Sequence, residues 1–336
     1  MPDAPQPITT VVFDLGAVVL EWAPHRAYEQ VLPASEVPAF MARIDFWNWN
    51  RAHDAGQLFA VGERELIERF PDSAVAVRAY REHFRHALSG MVPGTGAVIA
   101  ELKQAGLRLL ALTNWSAETF PHARQRFGLL SRFSDIVVSG TELLAKPDPA
   151  IFELLCRRHQ VAPTSCVFID DAPANVAAAA AVGMTAIRFS DAEHLRDDLV
   201  RLGLLGERPR LTEPIFHLTE ADVWQAALQG GAYPWSSRDL TYEQQGFVHC
   251  SFASQVRDVQ DTIYGDRDPA DLVLLELDVR SSRTPVVVEE VGPGVSFPHL
   301  YAPLPTDEVT AVHAVDGFSG PAAGAIPTEP EQLPGG

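Results

Sequence analysis

Cysteine and lysine are scarce in this 336-residue chain, and apolar runs of membrane-spanning length are missing altogether. The three cysteines, Cys156, Cys166 and Cys250, are odd in number, far apart and without paired spacing. That argues against both a disulfide framework and a zinc site, and it suits a reducing compartment. No apolar stretch approaches the roughly 20 residues that cross a bilayer, and the opening "MPDAPQPITT" lacks a basic region followed by an apolar one. The expectation is a soluble, cytoplasmic protein with no membrane partner. A basic excess is absent as well: the formal net charge is -18, with 21 basic against 25 acidic residues over 1–212 but 5 against 17 over 213–318. The second half repels nucleic-acid phosphates, so no nucleic-acid partner is expected. With only two lysines, Lys103 and Lys146, the place of each is informative. Lys103, in "AELKQAG", reads as a solvated helix charge.

What is present is a set of short apolar runs separated by helical stretches: "TVVFDL", "LRLLALT", "DIVVSG" and "SCVFID". Strands that are apolar on both faces and alternate with helices predict a parallel sheet covered on both sides, hence a doubly wound, Rossmann-like α/β domain over residues 1–208. Ligands of such sheets bind beyond the carboxyl ends of the strands, so the residues that end these runs are the ones to examine. The long insertion at about 21–90 carries helical patterns such as "RAYEQVL" and "ERELIERF" and predicts a helical cap. Within it, "FWNWNRAHDAGQ" places Trp47, Trp49, His53 and Asp54 together, either as cap packing or as a wall that sorts substrates. "GERPRLTEP" reads as a linker. A smaller α+β domain is expected over 213–318, and a disordered tail over 319–336, where proline and glycine dominate. Nothing in the sequence reports the oligomeric state.

Four loops of the first domain align in order: Asp14 after the first strand, Thr113-Asn114 after the second run, Lys146 in "LLAKPDP", and Asp170-Asp171 after "CVFI". Each is weak alone, because aspartates and Thr-Asn pairs are common at strand ends and turns. Together they resemble the haloacid dehalogenase superfamily of hydrolases over about residues 8–205. "FDLGAVV" is similar to its first motif, "ALTNWS" to its second, "AKPDPAIF" to its third and "FIDDAPANVAAA" to its fourth. The insertion lies where that superfamily's first cap class places its helices.

The resemblance implies a phosphatase that forms an aspartyl-phosphate on Asp14 and needs Mg2+ to bring a carboxylate against a phosphate dianion. It implies Asp14, the backbone carbonyl of Gly16 and Asp171 as metal ligands, with Asp170 acting through water. It also implies that Thr113 and a neighbouring amide at Asn114 hold phosphate oxygens and that Lys146 pairs with nucleophile and phosphate. Trp47 and Trp49 are then candidates for the substrate side of the site. Asn175 is expected either to steady the acidic loop or to cap its helix.

Phosphatases of the superfamily usually carry a second aspartate, the general acid, where this chain has Gly16. Three readings follow. The first is a phosphatase of small metabolites with good leaving groups, such as a sugar-1-phosphate, an anhydride or an acyl phosphate; a "DLG" subset of the superfamily includes a sugar-1-phosphate phosphatase. The second is a metal-independent 2-haloacid dehalogenase, against which the Asp170-Asp171 pair argues. The third is a binding protein without turnover.

Residues 213–318 resemble the domain-of-unknown-function 952 family through "IFHLTEADVWQAA", "GFVHCSFASQV", "DLVLLELDV" and "FPHLYAPLP". That family is remotely similar in fold to ADP-ribosyl transferases and RNA 2′-phosphotransferases. His217, His249, Ser251, His299 and Tyr301 stand out as polar groups within apolar strands. His249 and Ser251, one residue apart, face the same side of a strand. They predict a pocket that binds or modifies a nucleotide or sugar ligand; the plainer reading is that each histidine satisfies nearby backbone groups, and a histidine metal site is the lesser alternative.

Overall fold

The computed structural model describes residues 7–318 together with 328–329. The expected disordered tail, 319–336, lies outside the described residues except for Thr328–Glu329, which pair with Arg210–Leu211. Close packing divides the described residues into two units, one within 7–95 and 105–204 and the other within 96–104 and from 205 onward.

The first unit is built on a parallel sheet. Its strands, with those of a flanking hairpin, are β1 (Thr10–Phe13), β2 (Leu20–Trp22), β3 (Leu88–Met91), β4 (Arg108–Thr113), β5 (Asp135–Val138), β6 (Cys166–Asp170) and β7 (Thr185–Arg188). The sheet order is β5-β4-β1-β6-β7, all parallel. β1 and β6 are buried along their whole length, as apolar runs covered on both faces require. Helices Pro149–His159 and Pro173–Ala181 cover one side, where Ile151, Phe152, Leu155 and Ala179 pack on Val12, Leu110 and Phe168. The doubly wound fold expected from the alternating pattern is the one observed. Strand order reverses at β1, so the carboxyl ends of β1, β4 and β6 open into one crevice, the usual ligand position of such sheets.

β2 and β3 pair antiparallel and carry the chain out to the cap and back. Between them lie the helices Val37–Arg43, Phe46–Asp54, Phe59–Arg69 and Ala74–Glu82. Their core is aromatic: Tyr28, Phe46, Trp49, Phe59 and Tyr80 meet at centroid distances of 5.1 to 6.2 Å. Gly62 allows this packing, since a Cβ there would stand 2.5 Å from the His53 ring and 2.9 Å from Trp49 Nε1.

The second unit is α+β, and among the described residues it holds two three-stranded antiparallel sheets beside shorter two-stranded pairings. One orders Val309–Ala314, Leu272–Leu277 and Ile215–Glu220; the other orders Val248–His249, Val295–Leu300 and Val286–Gly292. Helix Val256–Ile263 packs Val256 and Val259 against Phe216, Leu218 and Leu274.

Candidate active site

Asp14 follows β1, and the ladder with β6 continues one step to fix it: its N–H donates to the Ile169 carbonyl at 2.8 Å. Its carboxylate accepts the Leu15 N–H at 2.7 Å and the Lys146 ammonium at 2.9 Å. Burial in the crevice pushes its carboxyl up to about 6, against the opposing pull of Lys146. The chain then turns sharply, with Ala17 in the left-handed region (φ 59°) and both Val19 and Leu20 N–H bonded to the Leu15 carbonyl. A Cβ on Gly16 would meet nothing within 4 Å, so the glycine is not there for want of room.

Lys146 is buried, and its Nζ lies 2.6 Å from Asp170 Oδ2 as well as 2.9 Å from Asp14 Oδ1. Its backbone is gripped by Asn114: the Asn114 amide donates to the Lys146 carbonyl at 2.8 Å and its Oδ1 accepts the Lys146 N–H at 2.9 Å. The side chain of Asn114 is thus committed to holding Lys146. Thr113 is buried at the end of β4, and its hydroxyl has no hydrogen-bond partner within the chain.

Asp170, fully buried, receives three further N–H bonds. The Asn175 amide reaches both of its oxygens at 3.0 Å, and the Ala172 N–H donates to Oδ1 at 2.8 Å. Asn175 therefore steadies the acidic loop; the cap position of helix Pro173–Ala181 is Ala172, which makes no side-chain cap bond. Asp171 is exposed as a residue, but the neighbouring loop withdraws its carboxyl partly from water; that partial desolvation, followed by the Asp170 charge, holds it above the usual carboxylate range. Among the described residues, Asp14, Asp170 and Asp171 form a group with metal-ligand spacing, their oxygens within 4.8 Å of one another. His217, His249 and His299 do not form such a group.

The cap reaches the same loops. Asp54, the last residue of helix Phe46–Asp54, accepts the Asn50 amide at 2.9 Å and a bond from the Ser116 backbone, and its carbonyl accepts Ser139 Oγ. Burial pushes its carboxyl up to about 8, with repulsion from Asp14 adding to the effect. Phe59 N–H donates to Glu118 at 2.7 Å. Trp49 is buried within the aromatic core of the cap, whereas Trp47 is 58% exposed and lies edge-on to Trp22 at 5.7 Å. The sequence placed Asp54 in the cap but gave no sign of its contact with the Thr113–Ser116 loop, because that contact joins segments about 60 residues apart.

In the second unit, His217, His249 and Ser251 line a cavity of about 350 Å³. His299 and Tyr301 are not on its wall: both point to the buried Glu289, with His299 Nδ1 and the Tyr301 hydroxyl each 2.6 Å from Oε2.

Comparison with known proteins agrees with these two bodies. The profile of the haloacid dehalogenase-like hydrolase family matches residues 8–183, and that of DUF952, a protein family of unknown function, matches 218–312. The phosphoglycolate phosphatase of Vibrio cholerae is 26% identical over 187 residues, which is 52% of this chain and 81% of the relative. That of Vibrio vulnificus is 30% identical over 98 residues, 29% of this chain and 43% of the relative, so the match spans less than half of that protein. Among solved structures, a haloacid dehalogenase family enzyme of Bacteroides thetaiotaomicron, with magnesium and inorganic phosphate bound, is 18% identical with a TM-score of 0.47, over 56% of this chain and 98% of its own. The chain belongs to the haloacid dehalogenase-like hydrolases, and it joins that hydrolase domain to a second domain of the DUF952 family.

Proposed function

We propose that the first unit is a magnesium-dependent phosphatase of small phosphorylated metabolites, acting through a phosphoaspartate on Asp14. The observation that carries this reading is the placement of Lys146, whose ammonium joins the nucleophile at 2.9 Å and Asp170 at 2.6 Å in a buried site. The phosphoglycolate phosphatases among the relatives support phosphate monoesters as the substrate class.

The donor set suits magnesium. The three carboxylates offer hard oxygen ligands, and one ammonium balances only part of their charge. Asp14, the Gly16 carbonyl and Asp171 would hold the ion, with Asp170 acting through water because Lys146, Asn175 and Ala172 already occupy its oxygens. Bound there, the ion would offset the repulsion between a phosphate dianion and Asp14 and polarise the phosphoryl group.

An Asp14 oxygen attacks phosphorus as the ester P–O bond breaks. Lys146 and the unpartnered Thr113 hydroxyl hold the oxygens on which charge spreads. Water then cleaves the phosphoaspartate and releases inorganic phosphate. With glycine at position 16, the leaving oxygen departs without an acid from that loop. Substrates whose leaving group needs little help, such as sugar-1-phosphates, anhydrides or acyl phosphates, are favoured.

The test is a panel of alkyl and aryl phosphates on the full chain, with and without chelator, beside Asp14→Asn. Turnover is expected to fall steeply with leaving-group basicity, to vanish on chelation, and to drop at least ~10³-fold in the variant. Turnover that rises with leaving-group basicity, or halide release from a 2-haloacid that chelator leaves intact, overturns the reading. For the second unit the reading is a ligand-binding module, supported by the cavity that His217, His249 and Ser251 share.

A further inference from the structure

The second-unit cavity holds two buried polar groups that the chain leaves unanswered. His217 is 2% exposed and its ring sits edge-on to Tyr233 at 4.9 Å. Its Nδ1 lies 2.6 Å from the His249 carbonyl, which can only accept, so Nδ1 carries the proton. In the neutral ring Nε2 is therefore a bare acceptor, and it has no partner. Burial keeps the ring neutral by lowering its pKa to about 4. Ser236, fully buried on the same wall, also has an unpartnered hydroxyl, free to donate or accept. Unsatisfied buried groups of this kind are costly, and two at one cavity indicate a ligand that supplies the missing partners.

The remaining wall defines the class of that ligand. Leu218, Val259, Ile263 and Val291 are aliphatic, and Tyr264 and Phe297 are aromatic. No lysine or arginine lines the cavity, and its one charged lining residue is the exposed Asp258. A phosphate or carboxylate placed here would be desolvated without a counter-charge, which is strongly unfavourable. A volume of about 350 Å³ is at the small end of ligand pockets.

We propose that this cavity binds a neutral heteroaromatic ring of nucleobase size, which donates an N–H to His217 Nε2, hydrogen-bonds Ser236 and carries no phosphate into the pocket. The proposal deepens the ligand-binding reading of the second unit and rests on it. It narrows the expected nucleotide or sugar ligand to the base-like part.

The experiment titrates the full chain with adenine, with AMP, and with quinoxaline, a bicyclic ring that has ring nitrogens but no N–H. Calorimetry gives affinity, and the ¹⁵N shifts of the histidine rings report the contact. Adenine is expected to bind with a Kd on the order of 10⁻⁴ M, the range of efficient fragments of its size, and to shift His217 Nε2. Quinoxaline is expected to bind about tenfold more weakly, and AMP no more tightly than adenine. Ser236→Ala should weaken adenine about 3- to 10-fold with the histidine spectrum of the free protein unchanged. Thr262→Trp, an exposed rim position that leaves the core untouched, should abolish binding. AMP binding tenfold tighter than adenine, or quinoxaline matching it, overturns the ligand class while leaving a ligand-binding module in place. Silence from all three probes, with the variants folded, overturns both.

Discussion

One glycine and two asparagines show what a single side chain decides in this molecule. At Gly16 a Cβ meets nothing within 4 Å, so the first atom of a side chain has room there. General acid assistance is worth ~10²–10⁴-fold when the leaving group is poor. Gly16→Asp is therefore expected to raise kcat on alkyl phosphates about 10²-fold and to change aryl phosphates little; equal effects on both, measured by steady-state kinetics, would speak against missing acid catalysis. Asn175 is the opposite case, a residue already in use. Its amide holds both Asp170 oxygens at 3.0 Å, so Asn175→Ala frees the loop that would carry the metal. Loss of such outer contacts costs ~10–100-fold in metal affinity. The expected result is a magnesium activation curve shifted by at least tenfold with kcat at saturation largely kept. Asp14, Lys146 and the acidic pair were legible from the order of the motifs. The commitment of Asn114 to the Lys146 backbone was not, because a Thr-Asn pair at a strand end does not reveal which partner its amide will find.

At the scale of elements, the short apolar runs read correctly as β1, β4, β5 and β6, since runs of four to six aliphatic and β-branched residues bounded by polar residues or glycine are too short for buried helices. β7 escaped notice because "TAIR" is short and three of its four residues are small or polar, its place being set by pairing with β6. The β2–β3 hairpin escaped for another reason: its strands are about 65 residues apart, and its register depends on where the cap returns the chain. The cap's aromatic pattern was visible, but sequence could not say that Trp49 faces inward while Trp47 is left on the surface. Contacts between elements also make a prediction about Gly140, in the short helix Ser139–Glu142 after β5. A Cβ there would stand 2.6 Å from the Ala117 N and 2.7 Å from the Trp115 carbonyl, and backbone cannot rotate aside. Gly140→Ala must push the loop that follows Thr113, and a displacement near 1 Å in a catalytic group costs ~10²-fold. The expected outcome is a ~10²-fold loss of kcat with overall stability lowered by about 1–3 kcal/mol; unchanged kinetics in a folded variant would show that the loop tolerates the shift.

For the whole molecule, the two units are expected to respond differently to acid. The second unit buries His217, whose pKa falls from 6.5 to about 4 through loss of solvation, and His249 is lowered to about 4 by the same cause with repulsion from His299 and His217 added. A histidine whose folded pKa is depressed contributes stability that is complete above its unfolded pKa of 6.5 and is lost as pH falls through the folded value. Protonation must then either open the fold or place a charge in an apolar interior. The difference for His217, roughly 2.5 pKa units, corresponds to about 3 kcal/mol at full protonation. Strand Ile215–Glu220, which carries His217 and pairs with Leu272–Leu277, is the segment that should report it. Hydrogen exchange of its amides, corrected for intrinsic rates, is expected to show constant protection from pH 8 to 6.5 and a decline of up to about 3 kcal/mol towards pH 4. His217→Gln keeps an amide that can donate to the His249 carbonyl but cannot titrate, so its profile should be flatter over the same interval. The sheet of the first unit, whose strand interiors contain no histidine, should keep its protection through the same window. Protection in Ile215–Glu220 that is independent of pH down to 4, with His217 shown by NMR to titrate near 6.5, would mean that the ring is hydrated and the cavity open to water.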